Sequence, residues 1–295
     1  MYACDIGIMA YNEEKNIGRL LEILINQKLA KVKIANIFVI ASGCTDRTEE
    51  IVKEFLNRDS RIKLLFQEKR EGKSSAINFF IKNAESEILV LESGDTLPEK
   101  ETIENLILPF IDKNVGMTGA HVIPLNKDNT LSGFAVQMLW RLHHLIALKK
   151  PKMGELVAFR KIFQKIPKTS AVDEANIEPL IKGQGYRIKY VPEAIVYNKG
   201  PENISDFIRQ RKRIYVGHLA LKENQGYAVS TMSGIRVFFT LIRNFKFNFQ
   251  YIFYTPLVIL LEIWARLLGS YDFYHKKNDH SIWEICQSTK DLTKK

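Results

Sequence analysis

LVLESGDTLP, Leu89 to Pro98, decides the reading of this chain: an apolar run suited to a buried strand passes directly into a short acidic turn. A carboxylate at such a strand end, here Asp95, can hold a hard cation against a diphosphate. Upstream, the alternation of strand and helix occurs three times. Asp5 to Met9 reads as a strand, and the stretch from Glu13 to Gln27 reads as a helix with Ile17, Leu20, Leu21 and Leu24 on one face. Ile34 to Ile40 is a β-branched strand; Thr45 or Asp46 is positioned to cap a helix running to about Asn57, with acidic residues early as the helix dipole favours. Ile62 to Phe66 and Lys73 to Ala84 form the third pair, and Ile88 to Leu91 is the strand that ends at the acidic turn. Such alternation predicts an α/β fold: a parallel sheet covered on both faces, binding its ligand at the carboxyl ends of the strands. The loops at 10–14, 41–46, 67–73 and 92–98 are then where the chemistry belongs.

The chain has 295 residues, 46% of them hydrophobic, enough for one large core or two small ones. It shows no repeat, low-complexity tract or Gly/Ser linker. The simplest organisation is a catalytic domain over 1–228 followed by a C-terminal helical, membrane-associated segment over 229–295. A formal net charge of +10 favours anionic partners such as nucleotides and phospholipid surfaces. No nucleic-acid module is recognisable, so nucleic acid is not an expected partner. Cys4, Cys44 and Cys286 are odd in number and lack metal-ligand spacing, which disfavours a disulfide framework or a zinc site and fits a reducing cytosol. The N-terminal residues carry no secretory pattern, so the catalytic region is expected inside the cell.

The loops have the composition a nucleotide needs. Tyr11 and Asn12 offer a ring and an amide; Ser42, Gly43, Thr45 and Asp46 offer hydroxyls and a flexible turn, although ordinary turns share this composition. Gly72 and Lys73 stand at a helix start, where free N–H groups and a cation suit phosphate. The segment is not a GxxxxGK[ST] loop, which disfavours a P-loop NTPase.

In order along the chain, IGIMAYNEEKNIGRLL, VIASGCTDRTEEIV, REGKSSAIN, LVLESGDTLPE, Asp173-Glu174 and RQRKRIY resemble the successive motifs of a family 2 glycosyltransferase, over roughly residues 5 to 220. The resemblance implies a glycosyltransferase A-type fold, a Rossmann-like mixed sheet flanked by helices. It also implies inverting transfer of a sugar from a nucleotide diphosphate donor, usually with Mg²⁺ or Mn²⁺. By position, it implies Tyr11 and Glu13 against base and ribose, Lys73 on the nucleotide, and Asp95 as metal and diphosphate ligand. It further implies an acidic pair beneath the acceptor, with Glu174 in register as the base and Asp173 as the alternative, because an attacking hydroxyl must lose its proton. Glu155, in GELVAFR, falls on the acceptor-side wall and can reach the donor sugar. Gln210, Arg211, Arg213 and Tyr215 resemble a QxxRW motif, in which Arg213 would clamp the departing diphosphate.

Three sites depart from the family pattern. Where a first carboxylate of the acidic loop is expected stands Ser93, or Glu92 in the neighbouring register, which leaves metal dependence open. Ala41-Ser42 replaces an acidic pair that reads the base, and Ile214 replaces the Trp of QxxRW, so neither base preference nor processivity carries over. His143, His144 and His218 lack metal-ligand spacing and read as core or helix-surface residues.

Beyond about residue 230 the chain is rich in Phe, Tyr and Leu with scattered Arg and Lys. Arg236, Arg243 and Lys246 among aromatics suit an amphipathic helix on an anionic leaflet. Glu262 and Arg266 interrupt the apolar run at a spacing that lets them pair. The segment can lie on the membrane, span it once, or pack as a hairpin on the protein. The tail over 276–295, with Trp283, is polar and expected at the surface. The expected activity is glycosyl transfer to a glycan or lipid-linked acceptor at the cytoplasmic face of the cell membrane. The alternative is a non-catalytic scaffold of the same fold that binds a nucleotide or partner, and it would turn Asp173 and Glu174 away from the cleft.

Overall fold

The computed structural model describes residues 1–167, 172–275, 289, 290 and 292. Cys286 and Trp283 lie outside them. The chain begins with three strand–helix pairs: β1 (Tyr2–Ala10), α1 (Ile17–Ile25), β2 (Val32–Ser42), α2 (Thr48–Leu56), β3 (Ile62–Gln67) and α3 (Lys73–Asn83). β4 (Ile88–Ser93) and the short β5 (Thr96–Pro98) flank the acidic turn, followed by α4 (Thr102–Ile107), β6 (Val115–Pro124), α5 (Leu131–Ala147) and β7 (Val157–Arg160). The sheet-bearing part closes with α6 (Asp173–Gly183) and β8 (Arg187–Asn198), and the helices α7 (Ile204–Gln225), α8 (Gly234–Arg243) and α9 (Phe249–His275) follow.

The strands form one sheet in the order β3-β2-β1-β4-β7-β6-β8-β5. β1, β2, β3 and β4 are parallel neighbours, but β7 runs antiparallel to both β4 and β6, and β5 antiparallel to β8. The all-parallel sheet read from periodicity is therefore corrected to the mixed sheet implied by the resemblance. Periodicity reports that a strand is buried on both faces; it does not report strand direction. Apolar residues fill both faces. Leu20, Leu21, Leu24 and Val52 of α1 and α2 pack on one side, and Ile77, Phe80 and Ile81 of α3 with Ile177 and Ile181 of α6 pack on the other. After β1 the chain steps outward to β2 and β3, then returns to β4 on the other side of β1. That reversal opens a crevice at the carboxyl ends of β1 and β4, where doubly wound sheets place ligands.

Two helix starts differ from the sequence reading. α1 begins at Ile17 because residues 13–16 form a turn, with Asn16 and Ile17 N–H both donating to the Glu13 carbonyl at 2.9 Å. Glu13 thereby stays out of the helix and faces the crevice. α2 starts at Thr48, with neither Thr45 nor Asp46 at its cap position. Asp46 instead accepts from Thr48 N–H at 3.0 Å and from Glu14 N–H at 3.0 Å, tying two strand-end loops together.

α9 is fastened to α7 by charge. Glu262 of α9 accepts from Arg211 of α7 at 2.8 and 2.9 Å and from Arg266 at 3.0 Å; Lys212 donates to Asp272 at 2.7 Å. Burial alone would raise the Glu262 carboxyl, but the two guanidinium groups hold it down to about 2. The predicted Glu262–Arg266 pair forms, with Arg211 as a third member. Among the described residues α9 alone is long and apolar enough to cross a bilayer by length and composition. Its polar face is bound to α7, whereas Phe253, Leu257, Leu260, Trp264 and Leu267 are exposed. α8 is amphipathic as expected and exposes Ile235, Phe238, Phe239 and Ile242.

Candidate active site

Two cavities open at the strand ends and meet. The first, of about 220 Å³, lies at the crevice between β1 and β4 and is lined by Tyr11, Glu13, Ser42, Arg70, Lys73 and Asp95, among others. The second, of about 270 Å³, runs under α5, α6 and α7 and is lined by Asp173, Glu174, Trp140, His143, Lys152 and His218, among others. Lys73, Glu155, Asn198, Gln210 and Arg213 face both. Tyr11, Glu13, Ser42, Lys73, Ser93, Asp95, Glu155, Asp173, Glu174, Gln210 and Arg213 thus each line one cavity or the other, whereas Asn12, Gly43, Thr45, Asp46 and Glu92 line neither.

The first cavity is shaped by close approach of its loops. Gly94 sits so near Glu13 that a Cβ there would lie 2.7 Å from Glu13 Cγ, so the acidic turn can close on the β1 loop only without a side chain at 94. Gly43 has φ +63°, and a Cβ on it would meet the Arg70 backbone nitrogen at 2.5 Å. This brings the loop after β3 against the loop after β2, and the Arg70 guanidinium stacks over the Tyr11 ring, 4.2 Å from its centroid. Asn12, at φ +53°, accepts from Thr45 N–H at 2.8 Å and so links loops one and two. Ser42 Oγ is buried without a partner among the described residues and can bond a ligand.

Carboxylates crowd the floor of this cavity. Burial first, then Asp95, raise the Glu13 carboxyl to about 7, although Lys290 and Asn16 pull it down. Burial, with Glu155 and Asp95 beyond it, raises Glu92 to about 8 against the Thr96 hydrogen bond. Burial likewise lifts Glu155 to about 7 while Lys73 opposes and Glu174 and Asp95 add to the rise. Glu92, behind the cavity lining, hydrogen-bonds Thr96 through one oxygen; its other oxygen is buried without a partner among the described residues. Of the two possible registers, Ser93 is the one lining the cavity, and its Oγ accepts from Lys73 Nζ at 3.2 Å.

The expected acidic pair opens α6, and both members face the second cavity. Asp173 is buried, accepts from Ser74 Oγ at 2.6 Å, and is raised to about 6 by burial first, against Lys73 and with Glu174. Glu174 is half-buried and pairs with Lys73 Nζ at 2.5 Å. Burial disfavours the Lys73 ammonium, but Glu174, Asp173 and Glu155 outweigh it and hold its pKa above the ordinary value. Gln210 and Arg213 enter from α7. Arg211, quoted in the same motif, lines the second cavity and is engaged by Glu262.

Several residues escaped the sequence reading. The tail was expected at the surface; Thr289 and Leu292 are buried instead, and Lys290 lies in the first cavity. Asn16 Nδ2 donates to the Lys290 carbonyl at 2.8 Å, and the Lys290 ammonium pairs with Glu13. Burial would lower the Lys290 pKa, but Asp95 and Glu13 raise it. No local pattern signals a contact 277 positions away. Arg70 was legible as the start of REGKSS, but its stacking partner depends on the Gly43 turn. His143 and His218, read as core or helix-surface residues, are buried and line the second cavity.

Comparison with known proteins agrees with this layout. Over 229 residues the chain is 25% identical to the probable glycosyltransferase YdaM of Bacillus subtilis, covering 71% of this chain and 53% of that protein. It is 23% identical over 273 residues to poly-beta-1,6-N-acetyl-D-glucosamine synthase of Staphylococcus aureus, covering 88% and 62%. The chain thus spans between about half and two thirds of the length of these relatives. Among solved structures, mannosyltransferase PcManGT of Pyrobaculum calidifontis, in complex with GDP-Man and Mn²⁺, superposes with a TM-score of 0.66 at 19% identity, covering 93% of this chain and 88% of that one. S. aureus TarS 1-349, in complex with UDP-GlcNAc, gives 0.51 at 18%, covering 92% and 89%. These similarities show a shared fold. The sequence profile described as Glycosyl transferase family 2 matches residues 5–172, more than half of the chain and the loops after β1, β2, β3 and β4; the chain belongs to that family.

Proposed function

We propose that this chain is an inverting glycosyltransferase: the first cavity takes a nucleotide diphosphate sugar, the second takes the acceptor, and transfer occurs where they meet. The observation that carries this reading is the shared wall of Lys73, Glu155 and Arg213, with Glu174 one ion pair away. Two substrates can there be held in contact while each stays in its own pocket, and such positioning can remove much of a bimolecular barrier. Glu174 accepts the proton of the attacking hydroxyl. It is preferred to Asp173 because Asp173 is more deeply buried and bonded to Ser74. Tyr11, Arg70 and Ser42 hold the nucleoside end; Lys73 and Arg213 take up the charge of the departing diphosphate.

A divalent cation fits at Asp95 when a diphosphate shares it. Asp95 lines the first cavity and offers the oxygen donors that Mg²⁺ and Mn²⁺ prefer. Among the described residues no three His, Cys, Asp or Glu side chains gather closely enough to hold an ion alone, so diphosphate oxygens would complete the ligand set. The Mn²⁺ of the PcManGT complex supports the same expectation. Asp95 is the proposed ligand, and the cation would supply further charge neutralisation for the diphosphate.

The exposed apolar faces of α8 and α9, with Arg236, Arg243 and Lys246 beside them, support a helix pair lying on the cytoplasmic leaflet. A single span would place the Glu262–Arg211 link, which fastens α9 to the catalytic half, inside hydrocarbon. Cell-surface or lipid-linked glycan synthesis follows as the setting, in keeping with the poly-N-acetylglucosamine synthase relative. The scaffold alternative predicts the acidic pair turned away from the cleft, whereas both members line it.

The test is a thermal-shift screen of nucleoside diphosphates with and without Mn²⁺. One nucleotide should raise the melting temperature, more with Mn²⁺ than without, and Asp95→Ala should remove the metal-dependent part. If no nucleotide binds and Asp95→Ala changes nothing, the reading is wrong.

A further inference from the structure

The second cavity is polarised. Toward the first cavity stand the carboxylates Glu155, Asp173 and Glu174, with Lys73 among them. The walls from α5, α7, α9 and the loop after α5 carry Lys152, Arg211, Arg266, His143 and His218. Their charge is incompletely answered. Lys152 forms no ion pair among the described residues, and the carboxylate that acts on it most strongly, Glu178, is already engaged. Its two oxygens accept from Met153 N–H at 2.9 Å and from Tyr227 Oη at 2.6 Å. Arg211 and Arg266 share the single carboxylate of Glu262. His143 Nε2 and His218 Nδ1 are buried and have no hydrogen-bond partner among the described residues, which is costly unless a ligand supplies one. Burial, then Lys152, lowers the basicity of both rings.

We propose that this wall is a subsite for a phosphate group carried by the acceptor, with Lys152 as its principal cation and His143 and His218 as hydrogen-bonding partners. The inference rests on the glycosyltransferase reading for the word acceptor, but the subsite itself rests on the cavity. A neutral glycan would leave Lys152 without a direct ion pair. A phosphate provides one, along with oxygens and, in a protonated monoester, an O–H for the two imidazoles. The same cavity is walled by Met232, Val237, Glu262 and Arg266 from the helical appendage that carries the exposed apolar faces. A lipid carrier's phosphate and a phosphodiester polymer share the chemistry.

Isothermal titration of the full chain with Mn²⁺ and saturating UDP, or the other nucleoside diphosphate that the thermal-shift screen selects, compares farnesyl phosphate with farnesol and glycerol 3-phosphate with glycerol. At least one phosphorylated probe should bind ten-fold or more tightly than its neutral counterpart. Lys152→Gln should abolish that preference and Lys152→Arg should restore most of it. A tighter farnesyl phosphate assigns a lipid carrier; a tighter glycerol 3-phosphate assigns a polymer. Equal binding of charged and neutral probes by the wild-type chain overturns the proposal without recourse to any variant, and so does a preference that survives Lys152→Gln. Repeating the titration without nucleotide reads the subsite even if the donor assignment fails, so the two failures are distinguishable.

Discussion

At the scale of single residues, Lys73 and Lys290 do opposite things with one charge. Lys73 bridges the cavities, bound to Ser93 on one side and Glu174 on the other, and it fixes the position of the Glu174 carboxylate. Glu174→Gln should therefore lower kcat by about 10² to 10⁴, the usual worth of a general base, while donor affinity stays within about two-fold. Single-turnover kinetics alongside nucleotide titration checks this, and equal losses in both would reassign Glu174 to donor binding. Lys290 puts an ammonium on Glu13 and within reach of Asp95, where a dication would otherwise gather those carboxylates. In the absence of nucleotide, Lys290→Ala should tighten Mn²⁺ binding by about ten-fold, or 1.4 kcal/mol. An unchanged calorimetric isotherm would show that ammonium and metal do not compete. Asp95, Glu13, Lys73 and the Asp173-Glu174 pair were legible because each follows a strand or opens a helix in a motif of fixed order. Lys290 and Lys152 were not, because their role depends on tertiary neighbours that leave no local spacing.

At the scale of elements, the strands and helices of the first half could be read because burial on both faces writes a strong apolar pattern. Their directions and exact starts could not. β7 lies antiparallel between β4 and β6, and the turn at residues 13–16 delays α1, for reasons set by partners distant in sequence. The α7–α9 contact is the element-scale feature most exposed to test. Glu262→Ala would leave two part-buried guanidinium groups facing each other, a loss of about 3 kcal/mol by analogy with other broken buried pairs, and should loosen α9. Urea unfolding would report the first effect and proteolysis within α9 the second; an unaltered midpoint would mean the pair is dispensable. On α8, replacing Phe238 and Phe239 by Ser should reduce co-sedimentation with anionic vesicles severalfold without changing the melting temperature, since both rings are exposed.

For the whole molecule, the crowd of raised carboxyls gives stability a pH dependence opposite to that of most salt-bridged folds. Glu13, Glu92, Glu155 and Asp173 titrate in the folded chain near 7, 8, 7 and 6, whereas the unfolded chain releases those protons near pH 4. Between these values the four carboxyls hold more protons in the folded state, so their contribution falls as pH rises; His143, His218, His121 and His144, all lowered, act in the opposite direction only below about pH 6.5 and leave the net slope downward. The melting temperature of the metal-free chain should drop by several degrees from pH 5 to pH 8. Added Mn²⁺ should recover more of it at pH 8, where the carboxylates are ionised. A melting temperature that rises over this interval would contradict the assignment.

The shared wall also bears on the sequence of events in turnover. Lys73 cannot neutralise an incoming diphosphate and Glu174 with equal strength at once, so a bound donor draws it toward the first cavity and leaves Glu174 freer to take a proton. Because coupling between two sites is reciprocal, an acceptor engaged with Glu174 must in turn favour the donor. The expected kinetics are ordered, with donor first and nucleoside diphosphate last to leave. The exchange of a single lysine between two carboxylate-lined chambers thus becomes a clock for the catalytic cycle.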